Sequence, residues 1–348
     1  MCAEKSLLMI SNLTGQMGKG QSVCETLAQL LRSKDWKVYT ASAESNKALR
    51  LMDMLSTAWR NRNQYQAGYI EVYSGLGFIW AEIMSLFLRS LRRPFVLALY
   101  GGNLPKFGGQ HPKRMRHLLS SAKYVLSPSA YTMELMRDFR NDILVLPYGM
   151  DLSQYQFRLR NSPKLKMLTM RAFHSMYNLH LAPQVLALLV NEYKMEAQLV
   201  MTGSDKGDGT LEKVIETAKR LNVHEYLNIT GFVPRKKLPS IINSADILLN
   251  TTNVDNTPVS VLEAMACGLC VVSTNVGGIP YLLGDEQDAL LVPPGDVGAM
   301  AAAVRRVLIK PGLAERLSRN ARHKAEQFDW SMILPKWETL FQELVHHA

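Results

Sequence analysis

Cysteine is scarce in this sequence: Cys2, Cys24, Cys267 and Cys270 are the four among 348 residues. Their number and scatter do not suggest a disulfide framework and favour a reducing compartment. Cys267-Gly-Leu-Cys270 spells C-x-x-C, but a structural zinc site needs a second pair and none exists. A redox C-x-x-C opens a helix, whereas this one leaves a helix and enters an apolar strand. Small buried thiols are the expectation. Apolar runs of about eighteen residues are missing too, so no membrane-spanning helix is expected. The opening stretch MCAEKSLLMISN is too briefly apolar for a signal peptide and reads as a strand. The sequons at Asn12, Asn228 and Asn250 then carry no weight in a cytoplasmic chain. No repeat of about 20 to 50 residues is visible, which argues against a solenoid or propeller. Low-complexity tracts are absent as well.

Acidic residues are short only in the first half. Residues 1–165 hold 22 Lys and Arg against 11 Asp and Glu, and the remainder holds 18 against 19. The net charge of +10 therefore belongs to the N-terminal half. Such a half suits nucleic acid, an anionic membrane surface or an acidic substrate, or is simply a soluble surface with surplus lysines. No nucleic-acid recognition motif accompanies the charge, so nucleic acid is not expected.

What is present is a regular alternation of strands and helices. Residues 6–11 read as a strand, followed by the loop NLTGQMGKGQS, a helix from 22 to 31 and a strand at 38–40. This β–loop–α–β opening starts a parallel, doubly wound sheet. Strands are expected at 69–73, 95–99, 124–126 and 143–146, and helices at 76–91, 112–121 and 129–138. Residues 151–164 carry few periodic positions and read as a linker. The alternation then restarts at 165–170 and continues through strands at 197–202, 227–230, 246–250, 270–274 and 289–292. The expectation is an α/β protein of two Rossmann-like open parallel-sheet domains, 1–150 and 165–330, facing a cleft. A helix over 331–348 is expected to cross back to the first domain.

Ligands of open parallel sheets sit at the carboxyl ends of the strands. The richest loop of that kind runs from Asn250 to Gly278, NTTNVDNTPVSVLEAMACGLCVVSTNVGG. Asp255 lies in its polar part, and Glu263, with seven residues between them, lies inside a helix. Free N–H groups at such a loop–helix junction suit an anion, and adjacent carboxylates suit hydroxyls. Together they suit a sugar–diphosphate ligand. Gly15-Gln-Met-Gly18-Lys19-Gly20 fails both the Walker A and the G-x-G-x-x-G patterns, and reads either as another kind of phosphate or substrate loop or as a tight turn. Tyr100-Gly101-Gly102-Asn103 ends a strand; it reads as an acceptor-side contact or as a plain strand-ending turn. Arg171 ends another strand, where it can grip phosphate bidentately. His174 and Asn178 follow it, and Gly203 ends the next strand.

Taken together these pieces resemble the family 4 glycosyltransferases of the GT-B fold. The resemblance covers nearly the whole chain. It is carried by Asp255 and Glu263 followed by Ala-Met-Ala-Cys-Gly268, by VVSTNVGGIPYLL and ALLVPPGD, by the strand-end Arg171, and by ITGFVP at 229–234 and SADILLN at 244–250. It implies retaining, metal-independent transfer of a sugar from a nucleotide-sugar donor to an acceptor hydroxyl, with no further cofactor. The donor is expected on the C-terminal domain and the acceptor on the basic N-terminal one. Glu263 matches the family's ribose-binding glutamate. Asp255 matches the acid near the donor sugar, with Asn256, Thr257, Pro258, Val259 and Ser260 contacting sugar and phosphate. Gly18 and Lys19 match the glycine-containing loop of the first domain.

Four positions depart from the family pattern. Asp255 stands where glutamate is usual, and Met176 stands where a phosphate-binding lysine is usual. Lys19, His174 and Asn178 are the candidates to supply the missing stabilisation. Cys270 replaces a proline, and Tyr100 replaces a histidine on the acceptor side. The segment 75–93, bulky and apolar with Arg89, Arg92 and Arg93 at its end, reads as a buried helix with a basic end or as an interfacial helix near anionic lipid. A glycan or lipid-linked acceptor in cell-envelope polysaccharide or glycolipid synthesis would go with the second option, at the inner face of the cell membrane. The competing readings are a GT-B sugar-nucleotide epimerase or hydrolase, and a non-catalytic transferase-like binding protein.

Overall fold

The structure is a computed structural model and describes residues 5–13 and 22–346. The chain divides into two compact units, Met1–Met150 with Trp330–Ala348, and Asp151–Asp329.

The first unit is built on six parallel strands: β1 Ser6–Ile10, β2 Lys37–Ala41, β3 Ala67–Val72, β4 Phe95–Leu99, β5 Tyr124–Ser127 and β6 Leu144–Val145. Their spatial order is β2-β1-β3-β4-β5-β6. β1, β3 and β4 are buried along their whole length, as expected of a parallel sheet covered on both faces. Alternation sorts their side chains. Leu8, Ile10, Ile70, Val72, Leu97 and Leu99 enter one core, while Leu7, Met9, Tyr69, Val96 and Ala98 enter the other. The second core is closed by helix Val23–Arg32 and by Trp330–His346, which brings Ile333, Trp337 and Phe341 onto the sheet. Trp337 and Phe341 meet the Tyr69 ring edge-on at 5.7 and 6.1 Å. Each such aromatic pair adds about 0.5–1.5 kcal/mol beyond area burial.

Two helices of this unit lie outside the sequence expectation. Lys47–Arg60 is started by Asn46, whose side chain accepts from the Ala48 and Leu49 N–H groups. Leu104–Gln110 contains Pro105 within its first two positions and two glycines, a composition that argues against a helix on propensity. Within it Gly108 packs without a Cβ against the Phe139 ring, where a Cβ would approach to 2.9 Å.

The second unit carries β7 Lys166–Met170, β8 Gln198–Thr202, β9 Leu227–Gly231, β10 Ile247–Asn250, β11 Cys270–Thr274 and β12 Ala289–Val292. All pairs are parallel, in the order β12-β11-β10-β7-β8-β9. The segment 151–164 is fastened to this unit. Arg160 is fully buried; its guanidinium donates to the carbonyls of Arg158, Cys267 and Ala245, and it lies 3.5 Å from Asp246. Cys267 and Cys270 are buried free thiols, and burial pushes both above the ordinary thiol range.

Each sheet has one place where the chain reverses its direction of growth. In the first it lies between β1 and β3, and in the second between β7 and β10. The crevice outside the carboxyl ends of those strands is where ligands of such sheets bind.

Candidate functional site

In the second unit the reversal point gathers the residues singled out above. Arg171 follows β7, and the Asp255 loop follows β10. The two side chains form an ion pair through Arg171 Nη2 and Asp255 Oδ2, with 14% and 13% of the side chains exposed. The guanidinium lies over the Tyr177 ring, 4.9 Å from its centre. Among the described residues its buried Nε has no hydrogen-bond partner. Asp255 Oδ1 accepts from the Asn256 N–H at 2.9 Å. Burial raises the Asp255 carboxyl above its ordinary range, against the lowering pull of Arg171.

The loop between them is stitched down by backbone. Asn253 N–H donates to the Met176 carbonyl at 2.9 Å, and Thr251 Oγ1 donates to the Tyr177 carbonyl at 2.8 Å. His174 starts the short turn Ser175–Tyr177, its Nδ1 accepting from the Met176 N–H at 3.2 Å. Asn178 closes that turn in the left-handed region at φ 49°. Met176 points outward and is 41% exposed. Glycines let the loops approach closely. A Cβ on Gly278 would lie 2.0 Å from the Asn256 carbonyl oxygen, and one on Gly203 would lie 1.9 Å from that of Arg171.

Helix Val259–Ala266 starts at Pro258 without a side-chain cap. Its first turn therefore offers N–H groups to an anion. Thr257 and Ser260 are half-buried beside it, Pro258 is buried and Val259 is exposed. One turn further, Glu263 is 5% exposed. Its Oε1 accepts from Tyr155 Oη at 2.8 Å and faces Arg235 Nη2 at 3.7 Å. Burial raises its carboxyl as well, with Tyr155, Arg235 and Arg171 opposing. Sequence reasoning missed Tyr155 and Arg235. Tyr155 sits in the aperiodic segment that reads as a linker, and Arg235 follows ITGFVP in a short turn, Arg235–Lys237. The run of three basic residues there was the one available signal.

In the first unit Tyr100 follows β4, and its ring lies 5.0 Å from that of Tyr148. Gly101 packs against Tyr73, where a Cβ would be 3.2 Å from the Cα. Gly102 is exposed, and Asn103 starts helix Leu104–Gln110 without a side-chain cap. Gly18 and Lys19 lie outside the described residues. Glu71, at the end of β3 and 6% exposed, has no counterpart among the sequence candidates. Among the described residues no group of three or more His, Cys, Asp or Glu side chains is gathered as for a metal ion.

Solved structures share this double arrangement along nearly the whole chain. Sucrose-phosphate synthase from Thermosynechococcus elongatus superposes with a TM-score of 0.79 at 16% identity, covering 99% of this chain and 100% of that one. Anabaena HepE in complex with UDP superposes with a TM-score of 0.75 at 15% identity, covering 97% and 100%. The fold is GT-B. Within this GT-B chain, residues 154–324 match the family described as glycosyl transferases group 1. The D-inositol 3-phosphate glycosyltransferase of Saccharomonospora viridis is 32% identical over 161 residues, 43% of this chain and 37% of the relative. The match thus spans little more than a third of that relative's length. The family match contains Arg171, Asp255 and Glu263, and it includes Tyr155 and Arg235.

Proposed function

We propose that this chain is a glycosyltransferase of family 4 that moves a sugar, with retention, from a nucleotide-sugar donor to an acceptor hydroxyl. The observation that carries the reading is Arg171. Its guanidinium is held at the reversal point of the second sheet with Nε unpaired, beside Asp255 and near the uncapped start of helix Val259–Ala266. An unpaired buried donor beside free helix N–H groups suits an oxyanion that arrives with the ligand. The match of residues 154–324 and the fold of HepE, a protein solved with UDP, support a nucleoside diphosphate as that ligand.

Glu263 holds the ribose hydroxyls, in a carboxylate geometry fixed by Tyr155. Arg171 and the helix start take the diphosphate. Asn256, Thr257, Pro258 and Val259 line its path, and Ser260 Oγ lies at the helix start. Asp255 orients the sugar. In the transfer, the bond from the anomeric carbon to the diphosphate oxygen breaks and a bond to the acceptor oxygen forms on the same face. The acceptor's proton passes to the departing diphosphate oxygen. Negative charge grows on that oxygen, so positioned cations lower the barrier without a metal ion. Met176 cannot assist. His174 and Asn178, on the adjoining turn, are the nearby polar groups of the described chain, and Gly203 gives the backbone room behind Arg171. Arg171→Ala and Glu263→Ala are each expected to lose most turnover of the nucleotide sugar with the fold intact. Full activity in either variant would sink the assignment.

The acceptor is proposed to be a glycan or lipid-linked glycan at an anionic membrane surface. Support comes from one face of the first unit. Helix Leu76–Ser90 buries Phe78, Ala81, Met84 and Leu88, but leaves Leu76, Ile79 and Leu86 exposed. Helix Lys47–Arg60 exposes Leu49, Met52 and Trp59 in the same spacing. Trp59 touches Phe87 edge-on, which joins the two helices. Arg62 covers the Trp59 ring at 4.1 Å, and Arg60 and Arg89 are exposed at the helix ends. Apolar side chains ringed by cations suit the headgroup boundary of anionic lipid. Among the described residues no helix is long and apolar enough to cross a membrane.

A further inference from the structure

The amino-terminal end of the first sheet carries a cleft that the transferase reading does not use. It has a volume of about 440 Å³ and lies between the turns that lead into the neighbouring strands β4 and β5. Ligands of open parallel sheets bind at the carboxyl ends, so this cleft stands at the other end of the strands from Tyr100 and apart from sugar transfer. Arg89, Arg92, Arg93 and Lys123 line it, and among the described residues its lining holds no carboxylate. Arg89, Arg92 and Lys123 are exposed, whereas Arg93 is half-buried and its Nη2 donates to the Arg62 carbonyl at 3.1 Å. Both turns, 91–94 and 121–123, lie within the described residues, and β3 separates β4 from β1.

Acids on the neighbouring elements are engaged elsewhere. Asp142 receives Arg140 Nε and Nη2 at 2.5 and 3.0 Å, and Arg140 Nη1 donates to the Ala122 carbonyl at 2.9 Å. Glu343 accepts from Tyr124 Oη at 3.4 Å. Like charges gathered in one cleft repel one another, and an anion relieves that repulsion. Arg92 adds a second observation. Helix Leu76–Ser90 ends in two paired bonds, Arg92 N–H to the Arg89 carbonyl and Arg93 N–H to the Leu88 carbonyl, both at 2.9 Å. That ending puts residue 92 in the left-handed region, at φ 53°, where glycine is the residue the backbone favours. Arginine there gives the cleft a cation and leaves the backbone strained.

We propose that this cleft binds a phosphomonoester dianion, with Arg89, Arg92, Arg93 and Lys123 as its cationic contacts. A guanidinium fork grips two phosphate oxygens at once, and a cluster of three arginines suits the three free oxygens of a monoester better than the two of a diester. Two sources share that chemistry, a soluble phosphorylated metabolite and the headgroup of a lipid of the phosphatidic acid type. Arg89 follows the exposed Leu86 by three positions on one helix, so the cations continue the exposed apolar stripe and are open to both. The site is independent of the nucleotide-sugar reading of the second unit.

The test uses the whole protein without nucleotide, at about pH 8, where a phosphomonoester is a dianion. Glycerol 3-phosphate and dimethyl phosphate are titrated calorimetrically into the wild type, Arg92→Gly and Lys123→Gln. In parallel, co-sedimentation is measured with phosphatidylcholine vesicles carrying phosphatidic acid or, at equal surface charge, phosphatidylglycerol. The wild type should prefer the monoester in at least one arm, and each variant should weaken that binding by about three- to tenfold. Arg92→Gly should keep or raise the thermal midpoint, because glycine relieves the backbone, so its lost binding is not lost folding. If its midpoint falls, Lys123→Gln decides. Glycerol 3-phosphate bound without a vesicle preference assigns the soluble source, and a preference for phosphatidic acid assigns the headgroup. No preference for the monoester in either arm, or equal binding in the folded variants, overturns the site.

Discussion

Asp255→Asn should tighten the binding of a nucleoside diphosphate, whereas Arg171→Ala should weaken it. The opposed signs follow from the ion pair. In the ligand-free protein the Arg171 guanidinium is already engaged by Asp255, and both side chains are about one-seventh exposed. A diphosphate arriving at Arg171 must compete with that carboxylate and then sit beside it. Two unit charges about 4 Å apart interact by about 4 kcal/mol at an effective dielectric of about 20. Partial exposure and the desolvation of both groups reduce this, so about 1–2 kcal/mol is expected to survive in affinity, roughly 5- to 30-fold. Asparagine keeps the shape and an acceptor for Asn256 but removes the charge. Calorimetric titration of the nucleoside diphosphate reads the effect directly, since that ligand lacks the sugar that Asp255 is proposed to orient. With the complete nucleotide sugar the gain should shrink and turnover should fall. If Asp255→Asn weakens the diphosphate as strongly as Arg171→Ala does, the pair does not compete with phosphate and the charge argument fails.

Glu263→Gln should lower nucleotide-sugar affinity by about 10- to 100-fold, because hydrogen bonds to a charged group contribute roughly 1.5–3 kcal/mol; unchanged affinity would place the ribose elsewhere. Gly278→Ala forces a Cβ against the Asn256 carbonyl and should displace the Asp255 loop, with loss of turnover exceeding loss of stability in paired kinetic and thermal measurements. Burial raises Glu71 from 4.5 to about 7, so the folded state binds more protons than the unfolded chain in that window. Stability should therefore fall as pH rises from about 4.5 to 7, by up to about 3 kcal/mol. Glu71→Gln should flatten that slope in urea titrations across the window, and an unchanged slope would assign it to other groups. Met52→Glu with Leu86→Glu should abolish co-sedimentation with anionic vesicles; retained binding would remove the apolar face from the membrane account.

Much of the architecture was legible because its elements are strongly patterned. β4, β11 and β12 coincide with the sequence expectation, since continuous apolar runs bounded by glycine or proline leave little room for another reading. Helix Lys47–Arg60 was missed although Leu51, Met54, Leu55 and Ala58 recur at helical spacing, because its exposed Leu49, Met52 and Trp59 blur the apolar stripe. Arg171, Asp255 and Glu263 could be named from their places after strands and in a helix, but not their contacts. That Arg171 spends the ligand-free state on Asp255 depends on loops 84 residues apart. Tyr155 reaches Glu263 across 108 residues from an aperiodic segment. Glu71 stayed hidden for another reason. A single acid inside an apolar strand carries no periodic signal, and only the strand order places it at a reversal point beside Ser11.

The central claim is that the second unit binds a nucleotide sugar through Arg171 and Glu263. The most direct measurement is a thermal-shift titration of the wild type and Glu263→Ala with CDP, UDP, ADP, GDP and their sugar conjugates. A ligand at about 100 times its dissociation constant stabilises the folded state by about 2.7 kcal/mol. One nucleotide class should raise the wild-type midpoint with the logarithm of its concentration and move Glu263→Ala far less. No shift from any of them, or an equal shift in the variant, would contradict the account.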